Sequence, residues 1–487
     1  MRSAPKQEDK KQRKALKRII IIISTLIILT VAALALLLWL SRDYLVWNNS
    51  PRPEIAPIIV SDMTGYGADA LYLVQMAEQV HPIFIMDGHL PYDYIIVRDE
   101  FLNTAQSTTS RQEFVLAAYR YIMTLQDGHI SGFNLFGGLG SSGMTNGLID
   151  VVWEVRDERL WIVGDSTDIE VIEIGGISTT QIFDVINAHI FAENEIYRLW
   201  NYALYARYGT IIEAAGGEVL GDRVVLTVIE NGEIATIETI LEMPETRDEP
   251  FSVSAIAATY DFIVRHEMLD DDIFFIDLQI FYLDDSIEET ARHIEQAIES
   301  GIRKFIIDLR GNIGGDSRAG SILLEAMGIS VPTSGVLRRF SPLMMDVARE
   351  HDILSPFESV MLSIFSVFAD GMIASRPDTG TASNPNNVFV TVLTDNNTYS
   401  SAMMMAYWIQ DGSLGNVIGE PSRNAPSSFG EMLPFTLPYS GLEALISATH
   451  FSRPDTNANQ SIVYPDIMAS ADDALGVALA YLRNHMN

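Results

Sequence analysis

The stretch that decides the fold is KFIIDLRGNIGG, residues Lys304–Gly315. Its first half, Phe305–Leu309, is a short apolar run, which predicts a buried strand leading into a glycine loop. Gly314 and Gly315 have no side chains, so their backbone N–H groups can approach an anion or a polarised carbonyl closely. The stretch therefore predicts a strand followed by an anion-stabilising loop.

A second segment, residues 388–411, reads VFVTVLTDNNTYSSAMMMAYWIQD. It predicts a strand, a polar turn and an apolar helix that opens at Ser400 and Ser401. A serine at such a turn is exposed at the positive end of a helix dipole, where its hydroxyl can act as a nucleophile. Capping the helix is the commonest alternative use of Ser400. Together with the glycine loop, the segment favours an acyl-transfer site with Ser400 as nucleophile.

A third segment, TLQDGHI at Thr124–Ile130, supplies a candidate base. His129 follows a glycine near the end of an amphipathic helix. A serine hydroxyl needs a base with a pKa near ambient pH, and histidine, with an ordinary pKa of ~6.5, is the usual choice. His129 is distinguished from the other histidines by its motif alone. We expect the rate to rise with pH as this histidine loses its proton.

Five motifs follow one another between about residue 70 and the C-terminus: DGHI, DLRGNIGG, TYSSA, NVIGEPS and YPDI. The ordered set resembles the C-terminal processing peptidase/tricorn family of serine peptidases. The resemblance implies an α/β catalytic domain with a ClpP/crotonase-like β-α superhelix, polypeptide substrates and no cofactor. An ungapped count along the matched motifs places Ser400 on the nucleophile. Ser401 then supplies an oxyanion-hole N–H beside that of Gly314 or Gly315.

The chain departs from the lysine branch of this family. That branch carries its general-base lysine in a loop that here reads GEPSRNAPSSFGE, residues 419–431, with Ala425 at the matched position. Arg423 cannot replace the lysine, because a guanidinium stays protonated. The tricorn-like branch uses a histidine from an N-terminal segment, and His129 stands at that position.

The group that orients this histidine is not identified by the motifs. Tricorn-like enzymes place a glutamate shortly before the PDI-like segment, but NANQSIVYPDI, residues 457–467, contains none. Glu431 and Asp455 are the candidate orienters. Asp127 is expected to cap or brace its own loop.

Composition excludes several other classes of site. The 487-residue chain contains no cysteine, which rules out disulfides, thiolate metal sites and a cysteine nucleophile. No HExxH motif or clustered His/Asp set indicates a metal, and the glycines of residues 311–315 lack the spacing of a phosphate loop. The net charge of −32 disfavours nucleic acid as a partner. We therefore expect no metal, no cofactor and no nucleic acid.

The N-terminus predicts a membrane anchor. Residues 19–40 carry no charge, and at ~1.5 Å per residue they can span a bilayer core of ~30 Å. The first 18 residues are strongly basic, so the positive-inside rule predicts a cytoplasmic N-terminus and an extracytoplasmic catalytic part. A cleaved signal peptide with a site at Ala33–Ala35 is the alternative. We disfavour it because that triplet lies inside the apolar run.

The chain divides into six predicted parts: a basic tail (1–18), a transmembrane helix (19–40), a stalk (41–67), a helical segment with the DGHI motif (68–147), a β-rich module (148–245) and the catalytic domain (250–487). In the module, IEVIEIGGISTTQIFDVI resembles the strand-then-helix segment of a PDZ-like module, but no characteristic carboxylate-binding loop is visible. A β-rich spacer therefore remains an open alternative.

Two local features are predicted inside the catalytic domain. Ser286 and Glu289 have the spacing of a capping box that opens a helix ending at Gly301. Residues 330–385 look like an insertion, with an apolar helix at Pro356–Ile373 that could cover a cleft.

The function favoured by these observations is a membrane-anchored extracytoplasmic serine endopeptidase that cleaves exported polypeptides. The alternative is a catalytically silent member that binds extended peptides or an apolar ligand in the same cleft. Geometry separates the two, because catalysis by this route requires His129 to approach Ser400 in the fold.

Overall fold

The computed structural model describes most of the chain from residue 63 onward. The described ranges are 63–86, 88–132, 147–151, 153–163, 168–242, 256–270, 272–350 and 372–485, with residues 24, 25, 28 and 30–32 near the N-terminus. Most of the predicted transmembrane helix and stalk therefore lies outside the described residues. Within these ranges no helix has both the length and the apolarity needed to cross a bilayer.

Helices dominate residues 66–132, as their apolar spacing predicts. In chain order they are α1 (Tyr66–Val80), α2 (Tyr94–Ser107), α3 (Arg111–Ile122) and α4 (Gly128–Gly132), with 3-10 turns at Pro82–Ile85 and Met123–Leu125. Helix α1 ends at Val80, and its C-cap His81 is extended because Pro82 disfavours the helical conformation in the residue before it. Ser110 caps α3 by accepting the Glu113 amide at 3.3 Å.

The next part is rich in strands, interrupted by three helices. It contains β1 (Leu148–Ile149), β2 (Trp153–Arg156), β3 (Arg159–Ile162), β4 (Ile169–Ile174), β5 (Ile177–Ser178), α5 (Thr179–His189), α6 (Glu195–Tyr205), α7 (Gly209–Ala214), β6 (Arg223–Glu230) and β7 (Glu233–Glu242). The strands form one antiparallel sheet in the order β1-β7-β6-β4-β3-β2, with β5 paired to β4. The predicted helical interruption falls between β5 and β6.

Strands and helices alternate through much of the remaining chain. The elements are β8 (Val264–Leu269), β9 (Ile273–Leu278), α8 (Asp285–Glu299), β10 (Lys304–Asp308), α9 (Ser317–Ala326), β11 (Gly335–Arg339), α10 (Pro342–Glu350), β12 (Met372–Ser375), β13 (Phe389–Thr394), α11 (Ser401–Asp411), β14 (Gly415–Gly419), β15 (Ser428–Thr436), β16 (Glu443–Ser452), β17 (Ile467–Met468) and α12 (Ala474–His485). This order confirms the predicted α/β class.

A six-stranded sheet is the centre of this part. Its order is β17-β14-β13-β10-β9-β8, and every pair is parallel except the edge pair β8–β9. Side chains alternate between its faces: Phe305 and Ile307 pack toward α8, α9 and α11, whereas Ile306 packs toward α12. Helices cover both faces, which explains why β10 is an almost continuous apolar run in the sequence.

A further sheet, antiparallel and four-stranded in the order β12-β11-β16-β15, packs apolar side chains against the N-terminal helices. Residues 330–385, predicted to be an insertion, contribute β11 and β12 to it. The predicted apolar helix Pro356–Ile373 lies mostly outside the described residues, and its last residue belongs to β12. The sheet also reaches the histidine segment, since a Cβ placed on Gly430 would lie 3.8 Å from His129 Nε2.

The predicted capping box of α8 is wrong by two residues. Asp284, not Ser286, is the N-cap, and its carboxylate accepts the amides of Ser286 at 3.0 Å and Ile287 at 3.4 Å. An aspartate is as good a cap as a serine and bears the charge that a helix N-terminus favours. The helix does end where expected, before Gly301 with its φ of 101°.

A buried ion pair ties the end of α11 to the segment after β16. Arg453 donates to both carboxylate oxygens of Asp411 at 2.8–3.1 Å, and the Asp455 amide donates to Asp411 at 3.0 Å. The two charged side chains are only 6% and 2% exposed. Because both charges are out of water, each depends on the other for compensation.

We expect Asp411→Ala to lower the free energy of unfolding by about 3–5 kcal/mol, because it leaves the Arg453 guanidinium buried and unpaired. Urea unfolding followed by circular dichroism measures the loss. The control is Asp346→Ala, which removes the ion pair between Asp346 and Arg349. The Asp346 side chain is 72% exposed, so its loss should change stability little. Equal losses in the two variants would contradict the assignment of Asp411 as a structural anchor.

Candidate active site

The glycine loop and the serine turn leave the same edge of the parallel sheet. Asp308 at the end of β10 pairs with Leu393 in β13, and the Leu309 amide donates to the Leu393 carbonyl at 3.0 Å. Further out, the Tyr399 amide donates to the Asn312 carbonyl at 3.0 Å. Two segments some ninety positions apart in the chain therefore run side by side.

Polar side chains shape both loops. Asn312 is fully buried, and its amide group accepts from the Gly314 N–H at 2.8 Å and donates to the Leu278 carbonyl at 2.6 Å. Asp395 accepts the Gly311 amide at 3.0 Å and the Thr398 amide at 2.9 Å. These bonds satisfy backbone groups that a loop without regular structure would otherwise bury unpaired.

Ser400 is held at the turn between β13 and α11 in a conformation unusual for a serine. It is the N-cap of α11 with φ 51° and ψ −123°, and its side chain makes no capping hydrogen bond. Positive φ in a residue other than glycine costs free energy and is found at sites where geometry is constrained. The Ser400 Oγ is instead 3.1 Å from Nε2 of His129. Its hydroxyl therefore faces the histidine and does not cap the helix.

His129 reaches this position from α4, and Asp127 fixes its backbone. One carboxylate oxygen of Asp127 accepts the His129 amide at 2.8 Å, and the other lies 3.1 Å from Nε2 of His81. Asp127 thus braces its own loop, as expected. The Nδ1 atom of His129 lies 3.4 Å from the hydroxyl of the fully buried Tyr399. For Nε2 to accept the serine proton, Nδ1 must carry the ring proton and point it at that hydroxyl.

The electrostatics of the histidine follow from its burial. Burial, with a smaller contribution from the Arg423 charge, lowers the pKa of His129 to about 4 against the opposing effect of Asp127. Burial by itself would raise the pKa of Asp127, but the hydrogen bond from His81 and the nearby His129 leave it lowered. At neutral pH the pair is therefore a neutral imidazole beside an ionised carboxylate. The expectation of a histidine pKa near 6.5 does not hold in this environment.

The expected oxyanion donors are only partly free. The Gly314 amide is already bonded to Asn312, so it is not available as placed. A Cβ on Gly314 would lie 2.6 Å from the Ser400 Cβ and 2.8 Å from the Ser401 N, so only glycine leaves that space clear. Among the described contacts, the amides of Gly315 and Ser401 donate no hydrogen bond. These two amides remain as the candidate donors.

The two candidate orienters are engaged elsewhere. The Glu431 carboxylate accepts from Arg338 and from the Thr449 hydroxyl. The Asp455 carboxylate accepts the Asn457 amide at 2.9 Å within its own turn. The Tyr399 side chain lies at Nδ1 of His129. Tyr399 is part of the DNNTYSS sequence, but no motif spacing distinguishes it from a tyrosine of the core.

The loop that matches the lysine loop contributes an asparagine. The Ser400 amide donates to Oδ1 of Asn424 at 2.8 Å, while Nδ2 of Asn424 donates to Glu193 at 2.7 Å. Asn424 is adjacent to Ala425, the position matched to the family lysine. This adjacency is the sequence feature that could have indicated that Asn424 lies at the site. Glu193 lies in no motif. The guanidinium carbon of Arg423 lies 4.1 Å from the Trp200 ring centroid, which gives this buried cation a structural environment.

No group of histidine, cysteine and carboxylate side chains among the described residues has the arrangement needed to hold a metal ion. The arrangement that is present is a hydroxyl, an imidazole acceptor and two backbone donors, one at a helix N-terminus and one in the glycine loop. Such a set can carry out nucleophilic acyl transfer without a cofactor.

Comparison with known proteins supports this interpretation. Residues 272–468 match the model of Peptidase family S41. Curated protein sequences give no match to the chain. The structure of mature CPAF complexed with lactacystin superposes with a TM-score of 0.55 at 14% identity, covering 86% of this chain and 97% of that one. Mature CPAF alone gives 0.54 at 14% identity, with 86% and 95% covered.

A more distant likeness is to the photosystem II D1 C-terminal processing protease, with a TM-score of 0.41, 12% identity and 85% and 97% of the two chains covered. At these identities the CPAF structures support the fold alone. The family resemblance is supported by the match at residues 272–468 and by the ordered motifs. The resemblance noted in the sequence is confirmed. Residues 272–468 carry a Peptidase family S41 domain, and the protein is a serine-type peptidase.

Proposed function

We propose that the protein is a serine endopeptidase that cleaves exported polypeptides, with Ser400 as nucleophile and His129 as general base. The observation that carries the proposal is the 3.1 Å separation of Ser400 Oγ from His129 Nε2, across 271 positions of sequence. A nucleophile and base within hydrogen-bond reach are the minimum requirement for covalent catalysis.

In the proposed acylation, the neutral imidazole accepts the hydroxyl proton as Ser400 Oγ attacks the substrate carbonyl carbon. The oxygen of that carbonyl becomes negative and is stabilised by the Ser401 amide at the N-terminus of α11 and by the Gly315 amide in the glycine loop. The tetrahedral intermediate collapses when the C–N bond breaks. The imidazolium then gives its proton to the leaving amine.

Deacylation repeats these steps with water. His129 removes a proton from a water molecule, the resulting hydroxide attacks the acyl-serine, and the proton returns to Ser400 as the C–O bond breaks. A base with a depressed pKa is a weak proton acceptor, so the nearby Asp127 carboxylate contributes by stabilising the imidazolium that forms.

The silent-binder alternative has less support. It rested on the missing lysine and on the unassigned orienter. The approach of His129 to Ser400, with Tyr399 at Nδ1, is an arrangement that binding alone does not need.

The proposal includes the finer features expected from the sequence. Residues 19–40 anchor the protein in the cell membrane as a single span, with the catalytic part outside. The catalytic domain has the ClpP/crotonase-like β-α superhelix, and residues 148–245 form a β-rich module, for which a PDZ-like module and a spacer are the two alternatives. These features are supported by the sequence pattern and the resemblance.

We expect a fluorophosphonate probe to label Ser400. Labelling should disappear in Ser400→Ala and persist in Ser401→Ala, because the Ser401 hydroxyl donates to the Gly315 carbonyl at 2.6 Å, whereas the Ser400 Oγ lies 3.1 Å from Nε2 of His129. Gel fluorescence and peptide mapping measure the result. As a further control, His129→Gln should slow labelling by about 10³-fold or more, since base and nucleophile act as a unit. Labelling that survives in Ser400→Ala would overturn the assignment.

We expect the His129 ring to titrate near 4 because burial disfavours its charged form. The measurement is the ¹³Cε1 chemical shift of histidine-labelled Ser400→Ala protein between pH 3.5 and 8, assigned with His129→Gln. The neutral imidazole, which can accept a proton, should dominate above about pH 4 and be lost below it. A midpoint at 6.5 or higher would contradict the environment described for this ring.

We expect the mature protein to retain residues 19–40. Intact-mass measurement of detergent-solubilised protein should give a chain that includes them, because the small-residue triplet lies within the apolar run. A mature N-terminus near Ala35 would show cleavage and exclude the anchor.

A further inference from the structure

Glu193 lies outside the family match and outside every motif, on the connection between α5 and α6. Its carboxylate nevertheless contacts two loops of the active site. One oxygen accepts the Gly128 amide at 3.3 Å. The other accepts Nδ2 of Asn424 and the Ala425 amide, both at 2.7 Å. The residue as a whole is partly exposed, but Asn424 and Ala425 are buried.

These three hydrogen bonds connect the base to the nucleophile. Gly128 directly precedes His129 in the chain. Asn424, whose Nδ2 donates to Glu193, accepts the Ser400 amide with its Oδ1 at 2.8 Å. A single carboxylate thus holds the backbone beside the imidazole and, through one asparagine, the backbone of the nucleophile.

Neighbouring side chains brace the same loops. Asn194 donates to the Arg423 carbonyl at 2.9 Å and to the Ser461 carbonyl at 2.8 Å. The Tyr197 hydroxyl donates to the Gly128 carbonyl at 2.8 Å. A Cβ on Gly128 would lie 2.7 Å from the Glu193 carboxyl group, so the contact is close-packed. The start of α6 is therefore built against the active site.

We propose that Glu193 is a positioning residue for the serine–histidine pair, and that it holds the two active-site loops in register only as the carboxylate. The inference deepens the proposed function and rests on it. Glu193 contacts neither the reacting hydroxyl nor the imidazole. It acts by fixing where Gly128 and Asn424 place them.

The charge requirement follows from the donors. All three partners are N–H groups, and an ionised carboxylate can accept from all of them. A protonated carboxyl turns one oxygen into an O–H donor that must face a donating N–H, and a glutamine side chain has the same mismatch. Protonation therefore weakens at least one of the links to Gly128, Asn424 or Ala425, and the glutamine NH₂ group, which cannot accept, breaks at least one.

The environment of Glu193 places its protonation close to neutral pH. Burial raises the pKa of Glu193 to about 7 despite its three hydrogen bonds, and the Asp127 charge raises it as well. The other ionisable groups that face it are the Arg423 cation and the phenols of Tyr197 and Tyr399. These phenols stay neutral at working pH because burial raises the pKa of both.

Two ionisations should therefore be separable. His129 is neutral above about 4, so a loss of activity as pH falls through about 7 reports Glu193. The observable is the second-order rate constant for fluorophosphonate labelling of Ser400, measured from pH 4.5 to 9. It needs no knowledge of the natural substrate.

In the wild type we expect the rate constant to fall below an apparent pKa near 7. In Glu193→Gln we expect a rate about 10²-fold lower at pH 8 and no change of slope near 7. Glu193→Asp keeps the charge but shortens the reach, so its rate should fall while the ionisation near 7 remains. The matched control is Glu195→Gln, two positions on, where the exposed side chain pairs with Arg198. It should match the wild type.

Thermal unfolding gives an independent readout. A carboxyl whose pKa is raised in the folded state stabilises the fold below about 4.5, and this contribution is lost as pH rises toward 7. The Tm of Glu193→Gln relative to the wild type should therefore increase between pH 4.5 and 7. Circular dichroism establishes that each variant folds, and Glu193→Asp carries the kinetic test if the glutamine variant does not.

The outcomes separate the two proposals. Wild-type rates at pH 8 in Glu193→Gln, or an unchanged ionisation near 7 in that variant, would overturn the positioning role while leaving the serine–histidine mechanism intact. A fall in rate in Glu193→Asp together with loss of the ionisation near 7 would also overturn it. Absence of any Ser400-dependent labelling in the wild type would overturn both.

Discussion

The parallel pairing of β10 with β13 is the constraint on which the site depends. Parallel strands deliver their carboxyl ends to one edge, so the glycine loop after β10 and the serine turn after β13 must emerge together. The pair is buried on both faces and its register is set by apolar side chains that alternate between α11 and α12. A shift of one residue would reverse those faces and separate the two loops.

Once the loops meet, polar side chains decide their detailed shape. Asn312, Asp395 and Asn424 each bond backbone amides that regular structure does not reach. Such groups are costly when unpaired, and the loops are therefore held in one arrangement. The strained φ of Ser400 can persist because both sides of the turn are constrained in this way.

The histidine comes from a different part of the chain, and its environment explains its chemistry. It is enclosed by α4, β15 and Tyr399, so its pKa lies far below the ordinary value. In many peptidases a carboxylate contacts Nδ1 of the histidine that pairs with the serine. Here the Tyr399 phenol lies at Nδ1, and the Asp127 carboxylate accepts the backbone amide of His129. Buried polar groups thus hold the imidazole in place and set its electrostatic environment.

The sequence by itself determined the secondary-structure elements and predicted the residues of the candidate site. Apolar periodicity located β10, β13, α8 and α11 to within one or two residues, and the ordered motifs singled out Ser400, His129 and the glycine loop, which the fold brings together. Local patterns suffice there because each element is encoded by its own residues. Only the tertiary structure decided the partners: Tyr399 at the histidine, Asn312 on the Gly314 amide, and Glu193 across from Asn424. Long-range side-chain contacts leave no periodic pattern in a single sequence. For this reason the sequence offered Glu431 and Asp455 as candidate orienters of the histidine, whereas the fold places other groups beside it.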